Sequence, residues 1–139
     1  MFLSITNLSQ QPEPVVATHG AEWGDVLAPQ TELQVDQAEA DVIIVGDKPS
    51  VLEQLGEGVK RIAGLLTALQ HRRDERDAGA EGVVHVRITN RGNDAVRVIL
   101  GDGVTDETLD PSATAEYESD GYLELRELGH APQQGGTAD

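Results

Sequence analysis

The sequence predicts a mainly β fold: a β-sandwich or barrel of two similar four-stranded halves joined by one amphipathic α-helix. Three observations carry that expectation. Apolar and polar residues alternate in two separate blocks, short motifs recur in both blocks at offsets of 80 to 83 residues, and the segment between the blocks changes to a helical period.

In the first block, Phe2, Leu3 and Ile5 open a strand, and Val15-Val16-Ala17 follow the turn formers Gln11-Pro12-Glu13-Pro14. Leu33 and Val35 then alternate with polar neighbours, and Val42-Ile43-Ile44-Val45 end at Gly46. In the second block, Val84, Val86 and Ile88 alternate with His85, Arg87 and Thr89. Asn90-Arg91-Gly92-Asn93-Asp94 reads as a hairpin loop leading to Val96, Val98 and Leu100. Tyr117 closes a further strand, and 122–128 forms the last one after the turn at Asp120-Gly121.

The blocks align as copies. Ile5-Thr6-Asn7 matches Ile88-Thr89-Asn90, Val15-Val16-Ala17 matches Val96-Arg97-Val98, Leu27-Ala28-Pro29 matches Leu109-Asp110-Pro111, and the Val42 run matches the Tyr122 run. Residues 1–128 therefore read as a single β-rich domain, with halves at 1–47 and 82–128, a helix at 50–76, and a flexible tail at 129–139 that has no apolar period.

The helix has its own start and stop signals. Ser50 and Glu53 form a capping box after Pro49, and His71, Arg72, Arg73 and Arg76 place positive charge at the negative end of the helix dipole. Leu52, Leu55, Val59, Ile62, Leu66 and Leu69 follow a 3-4-3-4-3 spacing, a narrow seam suited to packing against another helix. Gly56, Gly58 and Gly64 each weaken the helix by about 1 kcal/mol relative to alanine, so it needs external support. Two readings stay open: the helix covers a face of its own sheet, with Val51, Ala63 and Leu65 widening the stripe, or the seam is shared between subunits.

Charge follows the same division. The 139 residues carry 25 acids and 10 Lys or Arg, a net charge of −15, distributed as −8 over 1–47, +2 over 48–76 and −9 over 77–139. Phosphate backbones and anionic membrane surfaces are repelled by such a chain, so neither nucleic acid nor membrane is expected as a partner. With 3 % aromatic residues, the core must be built from Val, Leu, Ile and Ala. Cysteine is absent, which excludes disulfides and thiolate chemistry, and no apolar run reaches the roughly 18 residues of a membrane span. The first residues lack the basic start of a signal peptide, so a protein made without an export signal of the usual kind is expected.

Candidate chemistry is sparse. Asp102, Asp106 and Glu107 surround Gly103, but they lack the spacing of a helix–loop–helix calcium site and read as a solvated loop. His19, His71, His85 and His130 stand in four segments without ligand spacing. No serine lies in a nucleophile elbow, and Gly101-Asp102-Gly103 is followed by no phosphate-binding helix or lysine. Neither a catalytic set nor a cofactor or metal is expected. Trp23 is isolated in Gly20-Ala21-Glu22-Trp23-Gly24, where it either anchors a partner or packs against the helix.

Ile88-Thr89-Asn90, Val96-Arg97-Val98-Ile99-Leu100 and Leu109-Asp110-Pro111, followed by the strand at 122–128 and with looser counterparts in 1–47, give an arrangement that resembles the decoration or cement proteins of tailed-bacteriophage capsids. The resemblance covers most of the chain in architecture and rests on no diagnostic motif. It implies a non-enzymatic virion protein at the capsid surface, a trimer bound to the major capsid protein. The implied contacts are the N-terminal strand, with Met1, Phe2 and Leu3 as an exposed apolar end, or the loops at one end of the sandwich. A heptad helix weakened by glycines fits three copies meeting at it. The competing expectation is a small β-sandwich module that recognises carbohydrate or a host protein through the Trp23 loop.

Overall fold

The computed structural model describes residues 1–19, 23–48, 64, 65, 67, 68, 70, 83–101 and 104–128. Among the described residues there are ten strands: β1 (Phe2–Asn7), β2 (Glu13–His19), β3 (Trp23–Leu27), β4 (Glu32–Asp36), β5 (Val42–Gly46), β6 (Val83–Asn90), β7 (Val96–Leu100), β8 (Asp106–Leu109), β9 (Thr114–Asp120) and β10 (Tyr122–Glu127). They form a four-stranded sheet ordered β4-β1-β6-β9 and a six-stranded sheet ordered β3-β2-β5-β10-β7-β8. All pairings are antiparallel.

Exchanging the first five strands for the last five leaves both orders unchanged, so the halves interleave and neither forms a sheet of its own. In the smaller sheet the halves meet where Ile5 faces Ile88; in the larger they meet where Ile44 faces Glu124. The four strands expected in each half are present. The fifth, β3 or β8, is not expected from the sequence, because Asp106-Glu107-Thr108-Leu109 has a single apolar residue and Trp23-Gly24-Asp25-Val26-Leu27 does not alternate.

The alternation of inner strands is set by the two faces of each sheet. Leu3, Ile5, Val35, Val84, Val86, Ile88 and Tyr117 from the smaller sheet share one buried cluster with Val15, Ala17, Ile43, Val45, Val96, Val98, Leu123 and Leu125 from the larger. That shared core makes the architecture sandwich-like. On the opposite face of the larger sheet, Val16, Val42 and Ile44 form a second cluster with Leu65. Leu65 stands on a single described turn, closed by the Ala68 N–H donating to the Gly64 carbonyl at 2.8 Å. The rest of the expected helix, including all six seam residues Leu52, Leu55, Val59, Ile62, Leu66 and Leu69, lies outside the described residues, as does the tail at 129–139.

Two local expectations are corrected. The segment from Arg91 to Asp94 is not a hairpin loop, because β6 and β7 belong to different sheets and the segment crosses between them; within-sheet hairpins are β2–β3 and β7–β8. The alignment of the second strands also shifts. Glu13 faces Leu27 as Val96 faces Leu109, so Val15 corresponds to Val98 and not to Val96. The cause is that Glu13 and Pro14 belong to the strand although they read as turn formers, and Glu13 is fully buried. A shift of two residues keeps every side chain on its face, so the apolar pattern alone does not detect it.

Candidate functional site

In each half, the first crossing between the sheets is tied by a buried asparagine. In the first half, Asn7 Nδ2 donates to the carbonyls of Gln11 at 2.8 Å and Leu27 at 2.9 Å, and its Oδ1 accepts from the Ser9 N–H at 2.9 Å. In the second, Asn90 Nδ2 donates to Asp94 at 2.8 Å and Leu109 at 3.1 Å, and Oδ1 accepts from the Gly92 N–H at 3.0 Å. The main chain repeats the match: Gln30 N–H donates to the Asn7 carbonyl at 2.8 Å and Ser112 N–H to the Asn90 carbonyl at 2.7 Å. Gln30 and Ser112 are the two non-glycine residues with positive φ among those described, at 60° and 70°.

Where the halves differ, a surface feature results. Beside the β6–β7 crossing lies a notch of about 350 Å³, lined by Phe2, Arg91, Gly92, Asn93, Asp94 and Glu127 with Ala38. Phe2 is one of three exposed large apolar residues among those described, at 38 %. Arg91 is held in place: its guanidinium donates to the carbonyls of Leu3 at 3.1 Å and Val35 at 3.3 Å and pairs with Asp36.

The outer face of the larger sheet divides between the halves. On the first half it is apolar and carries Leu65; on the second it bears charges. Buried Glu124 accepts from both Lys48 and Arg126, and Arg97 donates through Nε to Asp106 at 2.6 Å. Burial acts to raise the Glu124 pKa, but the hydrogen bonds from Lys48 and Arg126 outweigh it and hold the carboxyl below its ordinary value. The hydrogen bond from Arg97 likewise lowers Asp106. On the inner side, burial followed by the Glu107 charge raises the Tyr117 phenol.

The sign for Glu124 follows from linkage. A depressed folded value stabilises the fold above the ordinary glutamate value of 4.5, and that contribution is lost as pH falls through the lower, folded one. Urea midpoints measured between about pH 5 and pH 3 are therefore expected to fall more steeply for the native chain than for Glu124→Gln. Equal slopes would show that this carboxylate is uncoupled from folding.

The residues singled out in the sequence are not gathered at one place. Met1 and Leu3 are buried at 1 % and 0 %, which corrects the expectation of an exposed apolar end. Strand β1 is internal, paired with β4 and β6, so Leu3 points into the core and Phe2 to the other face. The Met1 amino group donates to the Gln37 carbonyl at 2.5 Å and stands 3.8 Å from Glu127. Trp23 is not a free loop residue: it begins β3 opposite Ala17, half-buried against the main core. Asp102 and Gly103 lie outside the described residues, whereas Asp106 belongs to β8 and is engaged by Arg97. Among the described residues, no three His, Asp or Glu side chains are grouped to hold a metal ion, and no helix is long and apolar enough to cross a membrane. The notch was missed because its walls come from β1, β10 and two crossings, and only the turn residues 91–94 were legible as a unit.

No protein-family model and no curated protein matches the chain.

Proposed function

We propose that the chain is a non-enzymatic structural protein of a tailed-phage virion. In this reading it decorates the capsid surface as a trimer bound to the major capsid protein. The observation that supports the reading is the duplicated, interleaved pair of antiparallel sheets around one aliphatic core, the architecture on which the likeness to decoration proteins rests. The reading assigns Leu52, Leu55, Val59, Ile62, Leu66 and Leu69 to contact between copies on the strength of their heptad spacing alone. The acidic halves then face outward, which favours solubility before docking.

Light scattering tests the trimer. The expected mass is about three times the 14.8 kDa of one chain. Leu55→Asp with Ile62→Asp should reduce it to one chain while the strand signal in circular dichroism persists. In the same experiment, the native trimer should co-sediment with undecorated shells of the major capsid protein and the double variant should not. A native chain that stays monomeric at every concentration, or that ignores the shells, contradicts the reading.

A further inference from the structure

We propose that the notch beside the β6–β7 crossing is a binding site for a neutral saccharide ring, a function independent of the assembly reading above. The internal repeat serves as a control on which residues the fold itself requires. The asparagine that ties the first crossing of each half recurs, as Asn7 and Asn90, with the same set of hydrogen bonds. Apart from Glu127, whose carboxylate has a counterpart in Asp47, the notch residues do not recur. In the register that places Ile5 opposite Ile88, Phe2 corresponds to His85, Arg91 to Leu8, Gly92 to Ser9, Asn93 to Gln10 and Asp94 to Gln11. The crossing closes with either set, so the Phe2, Arg91, Asn93 and Asp94 combination is not needed to form it.

The chemistry of the lining selects the ligand class. Phe2 offers a half-exposed aromatic face, and Arg91, Asn93, Asp94 and Glu127 supply planar donors and acceptors around it. Arg91 is paired with Asp36 and Glu127 stands 3.8 Å from the Met1 amino group, so the charges of the lining are met within the protein and favour neither a cation nor an anion. A neutral polyhydroxylated ring suits both signs, because each hydroxyl donates and accepts while the C–H face of the ring lies on the phenyl group. The volume of about 350 Å³ is at the small end of ligand sites, as a single ring requires.

The site is also set before binding. Arg91 is tied to β1 and β4, and Asn90 fixes the Gly92 amide at 3.0 Å, so little ordering cost remains for the ligand to meet. Gly92 keeps the ring accessible: a Cβ there would stand 3.8 Å from Phe2 Cδ2 and 3.9 Å from its Cβ, in ordinary contact, and a longer side chain would cover the aromatic face.

Saturation-transfer NMR on the full chain tests this, with a panel of methyl glycosides of neutral hexoses and N-acetylhexosamines as probes. Transfer to the ring C–H protons of at least one glycoside is expected, with affinity reduced about tenfold or more by Phe2→Ala and by Gly92→Leu. Gly92→Leu keeps the amide that Asn90 holds and has no positive φ to strain it, so its effect separates a blocked site from a damaged fold. The absence of transfer from every glycoside at about 10 mM overturns the proposal, since such weak binding lies below any useful affinity. Binding that Gly92→Leu leaves unchanged also overturns it. Because the trimer is assigned to the helix seam, its loss or persistence in these variants is read separately by light scattering.

Discussion

Replacing Asn90 by alanine is expected to lower the stability of the chain by about 3 kcal/mol, seen as a fall of roughly 10 °C in the melting temperature. Asn90 is 1 % exposed, and its amide is the donor for the Asp94 and Leu109 carbonyls and the acceptor for the Gly92 N–H. Alanine leaves the Leu109 carbonyl without its partner in a buried position and the Asp94 carbonyl and Gly92 N–H without theirs in partly buried ones, and a buried unpartnered group costs about 1–3 kcal/mol. Asn90→Asp does no better, because the carboxylate keeps the acceptor but presents charge to two carbonyl oxygens. Asn7→Ala should cost a similar amount, for the same bonds are made to Gln11 and Leu27. The two sites lie opposite Leu3 and Val86, at the two ends of the β1–β6 pair and about 13 Å apart along β1, so their costs should add. The sum of about 6 kcal/mol is comparable with the whole stability of many domains, and the double variant should be largely unfolded at room temperature. Thermal melts of the three variants check the additivity.

That result would explain why the repeat was legible. Ile-Thr-Asn and Leu-x-Pro are the motifs shared by the blocks, and in the folded chain they touch each other: the asparagine of the first donates to the carbonyl of the leucine in the second, in both halves. The isoleucines of the first motif face each other across the junction between halves. Residues with a fixed geometric task left a readable trace. The inner strands were readable for a related reason, since β5 is buried at all five positions and β6 alternates through most of its length.

Other features left no such trace. Strands β3 and β8 carry no apolar alternation, with Val26 and Leu27 adjacent in one and Leu109 the sole apolar residue of the other, so periodicity does not mark them. Whether residues 91–94 form a hairpin or a crossing depends on which strands pair, a long-range choice that turn chemistry does not encode. Met1 looked exposed because an apolar end was assigned by composition, while its burial follows from β1 lying inside a sheet. Trp23 lacks a counterpart in the second half, yet it packs on the core as an ordinary large side chain. The notch gathers residues far apart in sequence, and only the completed topology brings Phe2 to Gly92.

The second large effect concerns the interleaving itself. Ser4 and Thr89 are register partners on β1 and β6, and a cross-link between them should raise stability by up to about 4 kcal/mol, because it closes a loop of about 85 residues. The chain contains no cysteine, so Ser4→Cys with Thr89→Cys introduces one pair and no competing thiols. Directly opposed residues in an antiparallel pair have Cα atoms about 4.5–5.5 Å apart, inside the range a disulfide spans. Ser4→Cys with Arg87→Cys is a control two residues out of register, on the same face but diagonal, at a separation near or beyond that range. The measurement is the fraction of each variant cross-linked within a single chain under mild oxidation, read by mass spectrometry of the peptides. Interleaved halves predict near-complete bridging and a raised melting temperature for the Ser4–Thr89 pair, with little for the Ser4–Arg87 pair. Halves that fold as separate sheets, or a β1–β6 register different from the one described, would instead leave the Ser4–Thr89 pair reduced or bridge both pairs alike.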